Sequence, residues 1–280
     1  MDAIETSPTG SPDIRQFRQA EFRRLIRKPL VIGPALLGAI FGGYVGSVIG
    51  PLFAVVGLLL FPVMIALIVV LVSRAKATRT FLIAYATARG LAPVPSEEVR
   101  QAVPLLRKGY RRDLPEVFSG RLEPGVEGQL ALYTFFTPGS GQDSSETPHD
   151  FTVVITEIPE TAERLPELLV WRKSGLRILE KVEDVFRRNH QRVQIENPTM
   201  VERYEVFVGK GQDPLEAFEL LSSDLIGLLA GTVPKGFAFE LVDGQLCCYV
   251  ARHLTDAGEI DRLVAVSAGV AGQLRRQASS

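Results

Sequence analysis

The chain has 280 residues, with 31 Lys and Arg against 32 Asp and Glu and a formal net charge of −1. Its two cysteines cannot form a disulfide framework, and this charge balance offers no basic face, so we expect no nucleic acid partner. The charge is uneven, because residues 1–79 are net basic and the remainder is net acidic.

The most distinctive stretch is residues 29–73, which contain no Asp, Glu, Lys, Arg or His. Hydrocarbon offers no water to bond exposed backbone amides, so such a stretch crosses a bilayer only as helix. It is too long for one span of roughly 20 residues and long enough for two. The pattern predicts transmembrane helices at about 30–49 and 52–72, joined by a turn at residues 49–51.

Basic residues flank both outer ends of this predicted hairpin. They are Arg23, Arg24, Arg27 and Lys28 before it, and Arg74, Lys76 and Arg79 after it. Cationic flanks stay on the cytoplasmic side and attract anionic headgroups. The sequence therefore predicts a multi-pass inner-membrane protein in contact with the lipid bilayer, with both termini cytoplasmic.

Glycines recur every four residues in the first predicted span. These are Gly38, Gly42, Gly46 and Gly50. This spacing places them on one helix face, where two backbones can approach closely. The face either packs against the second span, which Pro62 is expected to kink, or forms the seam of a homo-oligomer.

The remaining chain divides by composition. Residues 1–28 read as a cytosolic tail with a juxtamembrane amphipathic segment, and residues 74–95 as a stalk helix and linker. Residues 96–280 read as a cytosolic α+β domain. The predicted fold class is a membrane-anchored α+β protein, in which the transmembrane hairpin precedes a mainly antiparallel sheet with covering helices.

Alternating apolar residues predict the strands of this domain. They lie at residues 117–122, 129–137, 151–158, 168–172, 192–196 and 203–208, with Pro124-Gly125 joining the first two as a hairpin. A helix is expected over residues 176–188. Trp171 lies among apolar neighbours and reads as core.

The segment from Asp213 carries an N-cap Asp, a Pro at the first helical position and Glu216 in the first turn. It predicts a helix that restarts at residues 222–224 and ends at Gly231. The residues expected to be buried are Leu215, Phe218, Leu221 and Leu225.

Asp243-Gly244 is a strong two-residue hairpin signal between residues 237–242 and 245–252. When the two strands are counted outward from this turn, Leu241 pairs with Leu246, Phe239 with Cys248 and Phe237 with Val250, and these pairs lie on a core face. The other face then holds Glu240 with Cys247 and Ala238 with Tyr249. A closing helix is expected over residues 256–275, with Ile260, Leu263, Val264, Val270, Ala271 and Leu274 buried.

The residues that could carry chemistry do not converge in sequence. Neighbours in a strand point to opposite faces, so we expect Cys248 inward and Cys247 outward by Glu240, with no shared site. The histidines, His149, His190 and His253, stand in three separate segments. We predict no catalytic residue, metal site or cofactor, and the sequence favours a function other than catalysis.

Three further clusters admit two interpretations each. Gly209-Lys210-Gly211 could cradle a phosphate, but it lacks the P-loop spacing and an ordinary connection is favoured. Glu196, Glu202 and Glu205 could act as paired carboxylates, although charges at a solvated strand edge are commoner. Arg107, Lys108, Arg111 and Arg112 either rest on the membrane or form a solvated turn.

The order of two spans, stalk and strands, with residues 193–196 leading to residues 203–207 and to Asp213, resembles a bacterial family of uncharacterised two-span membrane proteins, a domain of unknown function. The resemblance implies a membrane-tethered cytosolic domain and no functional residues. The expected function is scaffolding, regulation or binding of an as yet unknown protein partner at the inner membrane. The alternatives are an enzyme acting on a membrane-associated or small-molecule substrate, or an accessory transport subunit.

Overall fold

A computed structural model describes residues 51–139, 145–173, 189–195, 197–231 and 233–279, together with the single positions Gln19 and Tyr44. The chain divides into two units, residues 1–85 and residues 86–280. Most of the described part of the first unit is one helix, α1 (Pro51–Ala88). It continues without a break through Pro62, where a kink was expected.

The membrane-anchored fold class is wrong. None of the helices that the structure describes is both long enough and apolar enough to cross a bilayer. The transmembrane hairpin, the multi-pass inner-membrane location and the cytoplasmic placement of both termini therefore fail as predictions. An uncharged helix can be buried by protein as well as by lipid, and absence of charge alone does not distinguish these surroundings.

Several residues that supported that prediction lie outside the described residues. They are Arg23, Arg24, Arg27, Lys28, Gly38, Gly42, Gly46 and Gly50, together with the first span at 30–49. Arg74 lies within α1, while Lys76 and Arg79 are exposed on it. Between and after them Ala77, Phe81 and Leu82 are completely buried, which shows an amphipathic helix in this part of α1. The predicted domain limits at 28, 73 and 95 stay predictions.

The second unit is built on one antiparallel sheet of nine strands, in the order β1-β2-β3-β4-β9-β8-β5-β7-β6. The strands are β1 (Ala92–Pro93), β2 (Arg111–Glu123), β3 (Val126–Thr137), β4 (Thr147–Glu157), β5 (Leu168–Arg172), β6 (His190–Val193), β7 (Tyr204–Gly209), β8 (Phe237–Val242) and β9 (Gln245–Val250). The antiparallel sheet and the strand at 168–172 are confirmed.

Helices connect and cover the strands. They are α2 (Pro104–Arg107), α3 (Pro198–Arg203), α4 (Pro214–Leu220), α5 (Ser223–Ala230) and α6 (Ala257–Ser279), with 3₁₀ turns at Ser96–Glu98 and Pro159–Thr161. The restart of the helix is confirmed, because the Ser222 hydroxyl accepts from the Leu225 amide and Gly231 ends α5. The helix predicted over 176–188 lies outside the described residues.

Two hairpins form around the predicted turns. Glu123 pairs with Val126 across Pro124-Gly125, and Gly125 has the positive φ of 78° that glycine tolerates. At the second turn Asp243 and Gly244 both have positive φ, 50° and 73°, as a type I′ turn requires. The cross-strand pairs predicted between β8 and β9 are all confirmed.

Both faces of the β8-β9 hairpin are buried, which differs from the expectation of one core face. All twelve residues of these two strands are buried. On one face α6 packs against β2, β4 and β9, and its predicted buried residues are confirmed. On the other face the segment 99–108, which we call the strap, packs on the sheet through Val99, Val103, Leu105 and Leu106.

Candidate functional site

The strap is fixed to the sheet by side chains that bond its backbone. Gln245 Oε1 accepts from the Ala102 amide at 2.9 Å, and Gln245 Nε2 donates to Arg100 O at 2.8 Å. Tyr133 donates from its hydroxyl to Leu105 O at 2.9 Å. The strap lacks strand partners of its own at these positions, so buried polar side chains satisfy its backbone groups.

Glu240 is the carboxylate beneath the strap, and its exposed fraction is 0%. Its Oε2 accepts from the Leu105 amide at 2.7 Å, while its Oε1 accepts from Trp171 Nε1 at 3.0 Å and from the Tyr249 hydroxyl at 3.2 Å. Burial raises the pKa of Glu240, and the facing Lys108 ammonium opposes that rise. The prediction that this position is on an outer face is therefore wrong.

Lys108 is the strap's own charge on this face, and only 6% of it is exposed. Its Nζ lies 4.7 Å from the centre of the Trp171 ring and makes no hydrogen bond with the described residues. Burial lowers the pKa of Lys108 to about 8, against the pull of Glu240 in the opposite direction. The Lys108 side chain is therefore buried under the strap. Both positions expected for it, on a membrane surface and in a solvated turn, are wrong.

Aromatic rings surround this charge pair. Phe151 stacks on Phe135 at 5.5 Å between ring centres and meets the edge of Tyr249 at 5.7 Å. Tyr133 lies 6.2 Å from Phe135 and from Phe151. Burial raises the pKa of both tyrosines, Tyr133 and Tyr249, so their hydroxyls stay protonated donors at neutral pH.

At the outer edge of the strap lies a cleft of about 280 Å³, which we call the strap cleft. Its lining residues come from the strap, the loop before β5, strands β6, β7 and β8, the residue just before β6 and the loop after β7. They are Ala102, Pro104, Arg107, Glu167, Asn189, His190, Gly209, Lys210, Gln212 and Val242. The cleft brings together residues from four parts of the second unit.

A hydrogen-bond network holds the wall of the strap cleft. Gln212 Oε1 accepts from the amides of Glu167 and Gly209, both at 3.0 Å. The Lys210 amide donates to Asn189 O at 2.8 Å. Gly209-Lys210-Gly211 is therefore a fixed turn after β7, in which Gly211 has a φ of 93°.

His190 and Glu167 form the titratable pair of this cleft, with Nε2 and Oε2 3.2 Å apart. The hydrogen bond from His190 lowers the pKa of Glu167, although partial burial acts in the other direction. Arg107 donates from Nε to Gln101 O at 2.7 Å, which anchors its guanidinium to the strap. Arg107 and Lys210 are both exposed.

The lining residues indicate what the strap cleft can do. Arg, Lys and His side chains with amide groups from Asn and Gln can bind an anion. No Ser, Thr or Cys is among the described lining residues, so the described cleft provides no hydroxyl or thiol nucleophile.

The other candidate residues are spread over the sheet. Glu205 pairs with Arg192 at 3.2 Å and Glu202 is exposed, so these two glutamates do not form a carboxylate pair. Glu196 lies outside the described residues. Arg111 pairs with Glu146 at 2.8 Å. Arg112 donates to Gln101 Oε1 at 3.1 Å. The four residues of the predicted basic strip therefore lie in three different environments.

Both cysteines are buried free thiols on opposite faces of β9. Cys248 packs inward as expected, but the prediction that Cys247 lies outward is wrong, because the strap covers that face. Burial raises the pKa of Cys248 to about 12, so its thiol is protonated at neutral pH. Among the described residues no cluster of His, Cys, Asp or Glu is suited to a metal ion.

The sequence did not predict the burial of Glu240 and Lys108 or the pairing of His190 with Glu167. One signal was present, since Glu240 is the only charged residue in the apolar run Phe237–Val242. A charge in such a run is either exposed or compensated from elsewhere in the fold. The pair at the strap cleft had no local signal, because its members are 23 positions apart in sequence.

The fold and the cleft define an antiparallel α+β module with a polar surface cleft. No protein-family model, curated protein or solved structure matches this chain. The resemblance to two-span membrane proteins therefore stays a prediction.

Proposed function

We propose that the second unit binds a small anionic ligand, a phosphate or a carboxylate, in the strap cleft. The observation that carries this proposal is the convergence of Arg107, His190 and Lys210 from three separate elements on one cleft. A guanidinium and an ammonium supply charged donors, and the imidazole adds a third when protonated. Regulation by ligand binding, one of the roles expected from sequence, fits such a module.

The one carboxylate of the described cleft does not oppose this proposal. Glu167 lies 3.2 Å from His190, and it is one carboxylate against the two cationic side chains of Arg107 and Lys210. At about 280 Å³, the strap cleft is near the lower end of the range for small-molecule sites, which suits a ligand of few atoms.

Calorimetric titration of the full chain with inorganic phosphate, and separately with acetate, tests this function. We expect saturable binding that weakens with salt, because charged donors make the contacts. Arg107→Gln and Lys210→Gln should each reduce the affinity about tenfold, as loss of a charge-assisted hydrogen bond does.

Arg262→Gln is the matched control for Arg107→Gln. Arg262 is exposed on α6, and its Nε also donates to a backbone carbonyl, Gly258 O, at 3.2 Å. The control should bind like the unaltered chain. Absence of saturable binding of both anions, or equal losses in the Arg107 and Arg262 variants, would refute the proposal.

We propose self-association through α1 as a second function of the chain, by a surface different from the glycine face on which the sequence placed a homo-oligomer seam. Val63, Met64 and Leu67 lie within one turn of each other, and 66%, 49% and 57% of each is exposed. Large exposed apolar groups on one helix face are typical of a contact surface. A second copy of α1 presents the same face and could cover it.

Sedimentation equilibrium of the full chain tests this second proposal. Val63→Glu with Leu67→Glu should convert an oligomer to monomer, whereas Arg79→Glu, an exposed change on the same helix, should not. A monomer at all concentrations in the unaltered chain would rule out self-association.

A further inference from the structure

We infer that Glu240 is a positioning residue for the strap cleft, holding Arg107 in place from beneath the strap. This inference rests on the proposed function. Glu240 does not line the cleft. Its influence passes through the backbone of α2, which carries Arg107 at its last position.

The beginning of α2 depends on an acceptor from outside the helix. Its N-cap residue is Val103, which has no side-chain acceptor, and Pro104 has no amide hydrogen. Leu105 therefore carries the first free N–H of the helix, and Glu240 Oε2 accepts it at 2.7 Å. A buried carboxylate from β8 caps the four-residue helix that ends at Arg107.

The strap contributes to two surfaces, the strap cleft and the core. Ala102, Pro104 and Arg107 line the strap cleft, whereas Val103, Leu105 and Leu106 are buried in the core. The cleft wall and the core contacts thus alternate along one short segment. Any shift of the strap on the sheet displaces the cleft wall as well.

A buried charge lies just after the end of α2. Lys108 directly follows Arg107, and its buried ammonium lies over Trp171, whose Nε1 bonds Glu240. The titratable groups that interact with Glu240 besides Lys108 are Tyr133, Tyr249 and Cys247. Glu240 therefore holds the start of α2 by a hydrogen bond, and it accepts from the Trp171 ring on which Lys108, just after the end of α2, is packed.

The affinity for inorganic phosphate in Glu240→Gln tests the inference. The amide keeps the size and one acceptor oxygen but removes the charge that balances Lys108. We expect about fivefold weaker binding, because one hydrogen bond on the strap is lost or weakened. The amides of residues 102–107, apart from Pro104, should exchange hydrogen faster, while those of β3 and β4 stay unchanged.

Thr152→Val is the matched control. Thr152 is also completely buried, and its hydroxyl donates to Arg252 O at 3.0 Å and accepts from the Leu254 amide at 2.8 Å, away from the strap. It should lower stability without changing phosphate affinity or exchange at 102–107. If Glu240→Gln does not fold, Gln245→Leu removes the other anchor, the bond to the Ala102 amide. We expect the same pair of effects.

The outcomes separate the inference from the proposed function. If the unaltered chain binds neither phosphate nor acetate, the proposed function fails, and the positioning role of Glu240 fails with it. If Arg107→Gln weakens binding but Glu240→Gln and Gln245→Leu bind normally, only the positioning role is overturned. Unchanged exchange at 102–107 in a folded Glu240→Gln variant would overturn it equally.

Discussion

At the residue scale, the chemistry of the second unit is concentrated at Glu240 and Lys108. An ionised carboxylate buried in a protein is costly unless it is hydrogen-bonded and paired. Glu240 has three donors from three different elements, and Lys108 supplies the opposing charge. These two residues therefore depend on each other, although they are far apart in sequence.

The pH dependence of stability follows from Lys108. Its pKa is about 8 in the folded chain and 10.5 when free, so the unfolded chain binds more protons between these values. Titration of Lys108 should therefore raise the free energy of unfolding across this window, by up to about 3 kcal/mol, whereas the raised pKa values of the buried Cys247 and Cys248 thiols lower it as the pH rises above about 9. The contribution of Lys108 is complete above 10.5 and is lost as the pH falls through 8.

Urea unfolding at several pH values from 7.5 to 10.5 checks this prediction. The free energy of unfolding of the unaltered chain should rise relative to that of Lys108→Met, because the two chains differ only in this titrating group. Lys235→Met is the control, since the Lys235 side chain is exposed, and its difference from the unaltered chain should not change with pH. A constant difference between the unaltered chain and Lys108→Met across this range would contradict the assignment to Lys108.

At the element scale, α4 and α5 show how an apolar pattern can be interpreted wrongly. Leu215 and Phe218 were expected to be buried, but 69% and 47% of these side chains are exposed. Leu221 and Leu225 are buried as expected. The helical period of the pattern is right, but α4 is only seven residues long and ends at Leu220, so the buried face belongs to α5.

A pair of identical substitutions tests this difference. Leu225→Ala should lower the free energy of unfolding by about 2 to 5 kcal/mol, because it leaves a cavity at a completely buried position. Leu215→Ala should change it by less than about 0.5 kcal/mol, because the side chain is exposed. Urea unfolding of the two variants measures both effects, and similar losses would show that α4 packs in solution.

At the scale of the whole second unit, strand order decides which backbone is protected. Strands β9 and β8 lie between β4 and β5 and are covered on both faces. Strand β1 has only two residues, both exposed, and lies at the end of the sheet. Local opening should therefore begin at the end of the sheet and reach the central hairpin last.

Native-state hydrogen exchange measures this order. Amides in β8 and β9 should exchange only at the free energy of global unfolding, and Ala92 in β1 should exchange much faster. The gradient should persist in Arg262→Gln, which alters an exposed side chain of α6. Faster exchange in β9 than in β1 would contradict the observed strand order.

The sequence by itself determined the local features of this protein. Asp243-Gly244 fixed the register of β8 with β9, and apolar periodicity fixed the buried face of α6, because each depends on residues within a few turns or pairs of one another. Only the tertiary structure decided that both faces of the hairpin are buried, that Cys247 is covered and that His190 meets Glu167. The strap and the strands beside the hairpin are distant in sequence, and no local pattern encodes which distant segment covers a face. For the same reason the uncharged stretch at 29–73 did not determine its own surroundings.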